Sequence, residues 1–537
     1  MEIFVVVLIV FALLAISDLI FGVANDAVNF LNSSIGSKVA PKRTILIIAS
    51  FGVIAGCLFS GGMMEVARKG IFNPQMFTFY EVIAIFMAAM FADILILDLY
   101  NTFGLPTSTT VSLVFGLVGG STAMAIIKLL SAGQSFDDFG NYINAASALK
   151  IISAIFISIV ISFFVSLIIQ YIVRMIFTFD YKAKLKRYGG MFAGVALTAI
   201  SYFIVVKGLK GSVFSTTELG KWITHNMGTF LLYSVLFWFV IFQILVMTTK
   251  INILKPIVLV GTFSLALAFA ANDLVNFIGV PYAAFSAYEI AVSSENPLGQ
   301  MMGGLNNPFQ ANLFILIGAG LIMVGTLWLN KKASTVTKTE VGLASQASKK
   351  EKFKKSFLSK AVVDMWSFFL NIILVITPQF IKDKVNSRFD KSKFTPEVSE
   401  DHKPAAFDLL RAAVNLFIAA SLISFGTAYK LPLSTTFVTF IVAMGTSLSD
   451  RAWGKENAEK RVNGVLTVIG SWFMTAVFAF GMAFIFAFAV FYGGYVAIAG
   501  LVLLAIFLII KSHVYHAKKQ KKDGEKSSSL LKLEDTH

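Results

Sequence analysis

Cysteine, histidine and charge are all scarce in this chain. It has 537 residues, with one Cys, five His and only 14% charged side chains. A single cysteine, Cys57, excludes an intrachain disulfide and a dithiol redox pair. The five histidines contain no His-Glu-x-x-His pair and do not gather in the apolar runs, which argues against an enzyme with that metal-binding pattern. Soluble domains carry about 25% charged and 45–50% apolar residues; here 57% are hydrophobic and the mean hydropathy is +0.77. Residues 1–22 lack a basic start and a small-residue cleavage site, so they read as a retained first helix. The apolar runs do not alternate, which excludes a β-barrel.

What the chain does have is apolar length. Runs near the ~20 residues that cross a bilayer fall at about 2–22, 44–62, 80–100, 107–130, 148–178, 190–207, 226–249, 257–280, 309–330, 405–429, 433–450, 462–490 and 492–511. The fold expected is an all-α polytopic membrane protein of 12 or 13 transmembrane helices. The net charge of +15 sits mostly in Lys182–Arg187, in 331–404 and in the tail from Lys511. Placing these inside by the positive-inside bias gives one consistent parity. The amino terminus is then outside and the carboxyl terminus cytoplasmic, in a plasma membrane such as a bacterial inner membrane. The apolar stretch 361–380 would break that parity if it spanned, so it reads as an interfacial helix. The pairs Gly52–Gly56, Gly116–Gly120 and Gly190–Gly194 read as close helix-packing sites.

A repeat organises the rest. Ala-Asn-Asp-x-Val-Asn-Phe occurs at Ala24–Phe30 and again at Ala271–Phe277. Leu-Pro-x-Ser-Thr-Thr occurs at Leu105–Thr110 and at Leu431–Thr436. The first pair of motifs is separated by 80 residues from Asp26 to Pro106, the second by 159 from Asp273 to Pro432. The 74-residue basic segment 331–404 lies inside the second interval and accounts for nearly all of the difference. The parity makes the two halves inverted, a pattern of secondary transporters whose site lies between the repeats near the midplane. The expected organisation is a first transmembrane repeat (1–178), a connecting basic loop with scaffold helices (179–256), the second repeat in two parts (257–330 and 405–511), the cytoplasmic insertion (331–404) and a cytoplasmic tail (512–537).

The motifs suggest a chemistry. Asn-Asp inside an apolar helix is costly and marks a cavity or a partner, and each copy is expected to break its helix, with Asp26, Asn29, Asp273 and Asn276 at the gap. Pro followed by Ser-Thr-Thr suits a helix N-terminus, where free N–H groups and about half a positive charge attract an anion. The hydroxyls of Thr107, Ser108, Thr109, Thr110, Ser434, Thr435 and Thr436, with Asn25 and Asn272, are therefore candidate oxyanion ligands. A dianion of about −2 beside two aspartates cannot be offset by two helix termini of about +1 together. Cations must enter with it, or the carboxylates must be protonated. Asp26, Asn29, Asp273 and Asn276 are the candidate ligands of a coupling Na⁺ or H⁺. Asp93 and Asp98, in the third span, are candidates for gating or coupling. Asp18 lies two turns before Asp26 on the same face, and Lys430 could recruit an anion.

The paired Asn-Asp and Leu-Pro-x-Ser-Thr-Thr motifs resemble the inorganic phosphate transporter (PiT) family. That resemblance implies cation-coupled uptake of inorganic phosphate, by Na⁺ in some members and H⁺ in others, with no cofactor. It also implies a homodimer in which a transport core works against a scaffold. The family's Asn-Asp signature falls on Asn25-Asp26 and Asn272-Asp273, and its Ser/Thr cradle on Thr107–Thr110 and Ser434–Thr436. Ala24 and Ala271 stand where many members have Gly, and Val111 and Phe437 where many have His. A sulfate permease of the same fold is the nearest alternative reading, a passive anion channel a more remote one.

Overall fold

The computed structural model describes residues 2–60, 70–209, 217–307, 311–346, 353–392, 404–429, 431, 433–453 and 455–534. Pro432, Lys430 and parts of the 331–404 insertion and of the tail lie outside the described residues. Among the described residues the chain is helical and forms no strand, only two isolated bridges. In chain order the helices are α1 (Glu2–Ser37), α2 (Lys42–Leu58), α3 (Phe79–Phe103), α4 (Thr109–Ala132), α5 (Ala145–Phe177), α6 (Tyr181–Leu209), α7 (Glu218–His225), α8 (Met227–Thr248), α9 (Leu254–Val292), α10 (Leu313–Leu329), α11 (Lys331–Leu343), α12 (Phe357–Ile376), α13 (Gln379–Arg388), α14 (Leu409–Ala428), α15 (Thr435–Ser449) and α16 (Lys455–Glu534).

Each expected crossing falls on one of these helices, yet fewer pass as spans on length and apolarity. Among the described residues eight do, or up to nine if α10 and α11, bent by 71°, form one. Most of the difference has simple causes, among them that α10 has only 17 residues. Helices α2 and α15 have only 17 and 15 residues. The apolar stretch Asn457–Lys518 of α16 holds both of the last two expected crossings, joined at Gly494, whose φ of +49° is not helical. Segment 361–380 overlaps α12, which leans on α16 and leaves Phe357 and Val375 exposed.

The helices begin and end where local chemistry directs. Thr78 and Glu81 form a reciprocal capping box at the start of α3, and Gly104 ends it in the left-handed region at φ +66°. Ser108 caps α4 and Ser434 caps α15, each accepting from the backbone N–H three residues on. The chain therefore breaks just before the Ser-Thr-Thr runs, as Pro requires.

It does not break at the Asn-Asp motifs. Helix α1 runs unbroken through Asn25–Asn29, and α9 through Asn272–Asn276. The reason is visible in their contacts: the side chains of these residues are satisfied by neighbouring helices, so the local backbone has no need to unwind.

Helix α3 is almost wholly buried at the centre, packed by α16 and α4. Helices α1 and α9 lie against each other, and α2 packs on α9. The expected glycine contacts are present. A Cβ on Gly52 or Gly56 would meet the α9 backbone at Phe263 and Leu267, and one on Gly190 or Gly194 would meet α8. Gly116 and Gly120 face Ala89 and Ile85 of α3. The outward faces of α5 and α8 carry exposed Leu149, Ile157, Phe164, Leu232, Phe237 and Val240, as a lipid-facing surface requires.

Candidate functional site

Four helices bring the repeated motifs to one buried place. The Asn-Asp side chains come from the middle of α1 and α9, and the paired threonines from the first turns of α4 and α15. Asp26, Asn29, Asp273 and Asn276 are all at most 2% exposed, as are Thr109, Thr110, Thr435 and Thr436.

Their hydrogen bonds close into a ring. Asn29 Nδ2 donates to Thr435 Oγ1 at 3.1 Å and Thr436 Oγ1 at 3.0 Å. Asn276 Nδ2 donates to Thr109 Oγ1 at 3.1 Å and Thr110 Oγ1 at 3.0 Å. Asp26 accepts from Thr109 at 3.0 Å and from Thr436 at 2.9 Å. Asp273 accepts from Thr435 and, at 3.5 Å, from Thr110. The order around the ring is Asp26, Thr109, Asn276, Thr110, Asp273, Thr435, Asn29, Thr436 and back to Asp26.

The correspondence follows the sequence repeat. Each aspartate takes one hydroxyl from the threonine pair of its own half and one from the other half. Each asparagine donates to the threonines of the other half, and Asn276 also reaches Asp273 of its own half at 3.3 Å. Thr439 Oγ1 donates to Asn29 Oδ1 at 3.3 Å and so fixes which way that amide points. Chemically the ring offers two carboxylates, two amides and four hydroxyls beside two helix N-termini, an arrangement suited to hard cations and an oxyanion together.

Other candidates are placed differently. The hydroxyls of Ser108 and Ser434 are engaged as helix caps, accepting from Val111 and Phe437 at 3.2 Å. Thr107 Oγ1 turns to Thr475 on α16 at 2.6 Å. Asn25 and Asn272 hold the two chain breaks, and Asn272 also donates to the ring's Asp273 at 2.7 Å. Asn25 Oδ1 accepts from the Thr107 N–H at 2.8 Å, and its amide donates to Leu105 O at 3.2 Å. Asn272 Nδ2 donates to Leu433 O at 2.8 Å. Asp98 is apart from the ring, ion-paired to Lys332 at 2.7 Å and accepting from Ser512. Asp93 is buried elsewhere in α3.

Two residues of this region escaped the sequence reading. Asn101 Oδ1 accepts from Asn25 Nδ2 at 2.8 Å, and Thr427 Oγ1 donates to Asn272 Oδ1 at 3.4 Å. Each stands four residues before its Leu-Pro, so the repeat itself carried the signal. Below the ring toward the ends of α1 and α15, polar contacts continue. Ser34 meets Thr262, Asn32 donates to Glu340, and Asn415 joins Ser33 at 3.3 Å to Thr446 at 2.6 Å.

Comparison with known proteins gives the family and the fold. The sequence model described as "Phosphate transporter family" matches residues 22–341. A protein of Thermococcus kodakarensis named "Putative phosphate permease" is 26% identical over 317 residues, covering 56% of this chain and 69% of that one. A relative of the same description in Pyrococcus abyssi is 26% identical over 307 residues, again 56% and 69%. The solved structure titled "The sodium-dependent phosphate transporter" superposes with a TM-score of 0.59 over 90% of this chain and 98% of its own, at 17% identity. That likeness speaks for the fold.

Proposed function

The chain belongs to the phosphate transporter family, and on that premise we propose that it carries inorganic phosphate across a plasma membrane by alternating access, together with a cation. The observation that carries the reading is the closed ring, in which repeat-related Asn, Asp and Thr side chains from both halves meet in one buried place. Phosphate would be held by the hydroxyls of Thr109, Thr110, Thr435 and Thr436 at the N-termini of α4 and α15. Asp26 and Asp273, with Asn29 and Asn276, would hold the cation that balances its charge. Asn25 and Asn272 would position the breaks that carry the threonines, and Thr107, Ser108 and Ser434 would shape them.

The charge balance favours symport over a passive channel, because a dianion and two carboxylates cannot share a low-dielectric site unaided. The structural relative is titled sodium-dependent, so Na⁺ is the cation assigned first, with H⁺ as the alternative. The halves would be inverted about the ring, the amino terminus outside and the carboxyl terminus inside, with two copies forming a homodimer.

Purified protein in proteoliposomes, given phosphate with an imposed Na⁺ or pH gradient, tests this directly. Accumulation of phosphate against its own gradient is expected under at least one of them. It should be abolished in Asp26→Asn and Asp273→Asn at unchanged yield of folded protein. Equilibration without accumulation would point to a channel, and stronger competition by sulfate than by unlabelled phosphate would make sulfate the substrate.

A further inference from the structure

Two more aspartates are buried in the helix core away from the ring. Asp18 stands on α1, eight residues before Asp26, which is about 12 Å of helix rise. Asp93 stands on α3. Both are 0% exposed. Helix α3 packs on both α1 and α4, and the two carboxyl groups lie near enough to act on each other's charge, with the Ser112 hydroxyl of α4 near Asp93. All four carboxyl oxygens, and Ser112 Oγ, are buried without a hydrogen-bond partner.

This sets them apart from every other buried aspartate among the described residues. Asp26 and Asp273 accept from threonines, Asp98 has Lys332, and Asp408 and Asp450 share Arg174. Several charged groups on the neighbouring helices have partners of their own. Along α1 the next is Asp26, of the same sign. On α3, Glu81 pairs with Lys128 of α4 at 2.9 Å. On α11, Lys332 is held by Asp98 and Glu340 by Asn32.

Two neighbouring carboxyl groups are acceptor-only when ionised, the Ser112 hydroxyl is the donor nearest them, and burial makes that state costly. One positive charge between them removes both the repulsion and the missing partners. A shared proton would do this, and so would an alkali cation held by the carboxylates and the Ser112 hydroxyl, all hard oxygen ligands. The same two helices reach the ring. Asp18 is two turns from Asp26 on α1, and Ser112 is one turn from Thr109 on α4.

We propose that Asp18, Asp93 and Ser112 form a second cation site, separate from the ring, which binds one monovalent cation, a proton or Na⁺, in each transport cycle. The role in the cycle rests on the symport reading above; the binding itself does not. The test uses the full chain in proteoliposomes. Cations moved per phosphate are read from the gradient at which net uptake reverses, in separate Na⁺ and pH arms. In Asp18→Asn and Asp93→Asn the count should fall by one in one arm while phosphate is still carried.

In detergent, the Na⁺ arm is checked by loss of one radioactive-sodium site at saturation, and the proton arm by loss of one titrating proton. Ser112→Ala keeps both carboxyls and should weaken apparent cation affinity about three- to tenfold at unchanged count, which covers the case in which an aspartate variant does not fold. A carboxyl pair that stays permanently protonated would leave every count unchanged, and that result overturns the proposal. If wild-type protein accumulates no phosphate under any gradient, the symport reading fails by itself. The binding counts in detergent then still decide the site.

Discussion

Within the ring, each asparagine amide donates to two threonines, Asn276 sharing its amide with Asp273 as well, and each threonine passes a hydrogen on to an aspartate. The amides therefore set the direction of every hydroxyl. Substituting Asn29 or Asn276 with Ala removes two buried hydrogen bonds to the ring's threonines, each worth about 0.5–1.5 kcal/mol net, and one further bond, to Thr439 or to Asp273. The threonines would then be free to turn. The expected loss in phosphate affinity is about five- to a hundredfold, and because the two residues hold corresponding places, the losses should be alike in the two variants. Isothermal titration or radiolabelled phosphate binding measures it. A large loss in one variant and none in the other would show that the halves are not equivalent in binding. Thr109→Ser keeps the hydroxyl and should bind nearly as the wild type does, whereas Thr109→Val should not.

At the scale of elements, the ends of α5, α14 and α15 are joined by a buried charge network. Arg174, with 0% exposure, reaches Asp408 at 2.8 Å and Asp450 at 2.6 Å, and Gln170 donates to the same Asp450 at 2.8 Å. Arg411 lies 3.8 Å from Asp450, with its guanidinium over the Phe407 ring. Arg174→Met would strand two buried carboxylates and is expected to cost about 3–5 kcal/mol. Arg174→Lys should recover little, since a single ammonium cannot fork to both aspartates. Thermal unfolding in detergent, followed by circular dichroism, reads both. Nothing local announced this network, because Arg174 and Asp450 are 276 residues apart and each looks like an ordinary helix-end charge. The same holds for Lys332 and Asp98, 234 residues apart. The threonine and Asn-Asp motifs were legible for the opposite reason: each occurs twice, and the interval between them is preserved once the insertion is removed. The one element misplaced was the helix break. An Asn-Asp pair in an apolar run looks like a break when its own helix must satisfy it. Here facing helices do, and the break falls instead at Gly104–Ser108 and before Ser434, where Pro and the serine caps require it.

For the whole molecule, the ring ties together helices from both halves, so the proposed change of access would have to let them part on one side while holding on the other. Toward the ends of α1 and α15 polar contacts join the helices, and that of Ser34 to Thr262 links α1 directly to α9. Both are short side chains with their hydroxyls in contact, so a cysteine at each position would place two sulfurs within bonding reach. The native Cys57 is buried and its thiol lies 3.8 Å from Met323 Sδ, so a Cys57→Ala background removes the only competing thiol of the chain. Oxidising the Ser34→Cys, Thr262→Cys protein should abolish phosphate uptake into proteoliposomes while binding in detergent stays within about twofold of the reduced form. Reduction should restore uptake. The physical reason is that the bond forbids one of the two arrangements of α1 against α9 but leaves the ring, whose nearest member on α1 is Asn29, more than a turn away, intact. Uptake that persists after complete oxidation would mean that α1 and α9 move as one body. The moving boundary would then lie between them and the outer helices α5, α6 and α8, the arrangement in which a transport core slides against a scaffold.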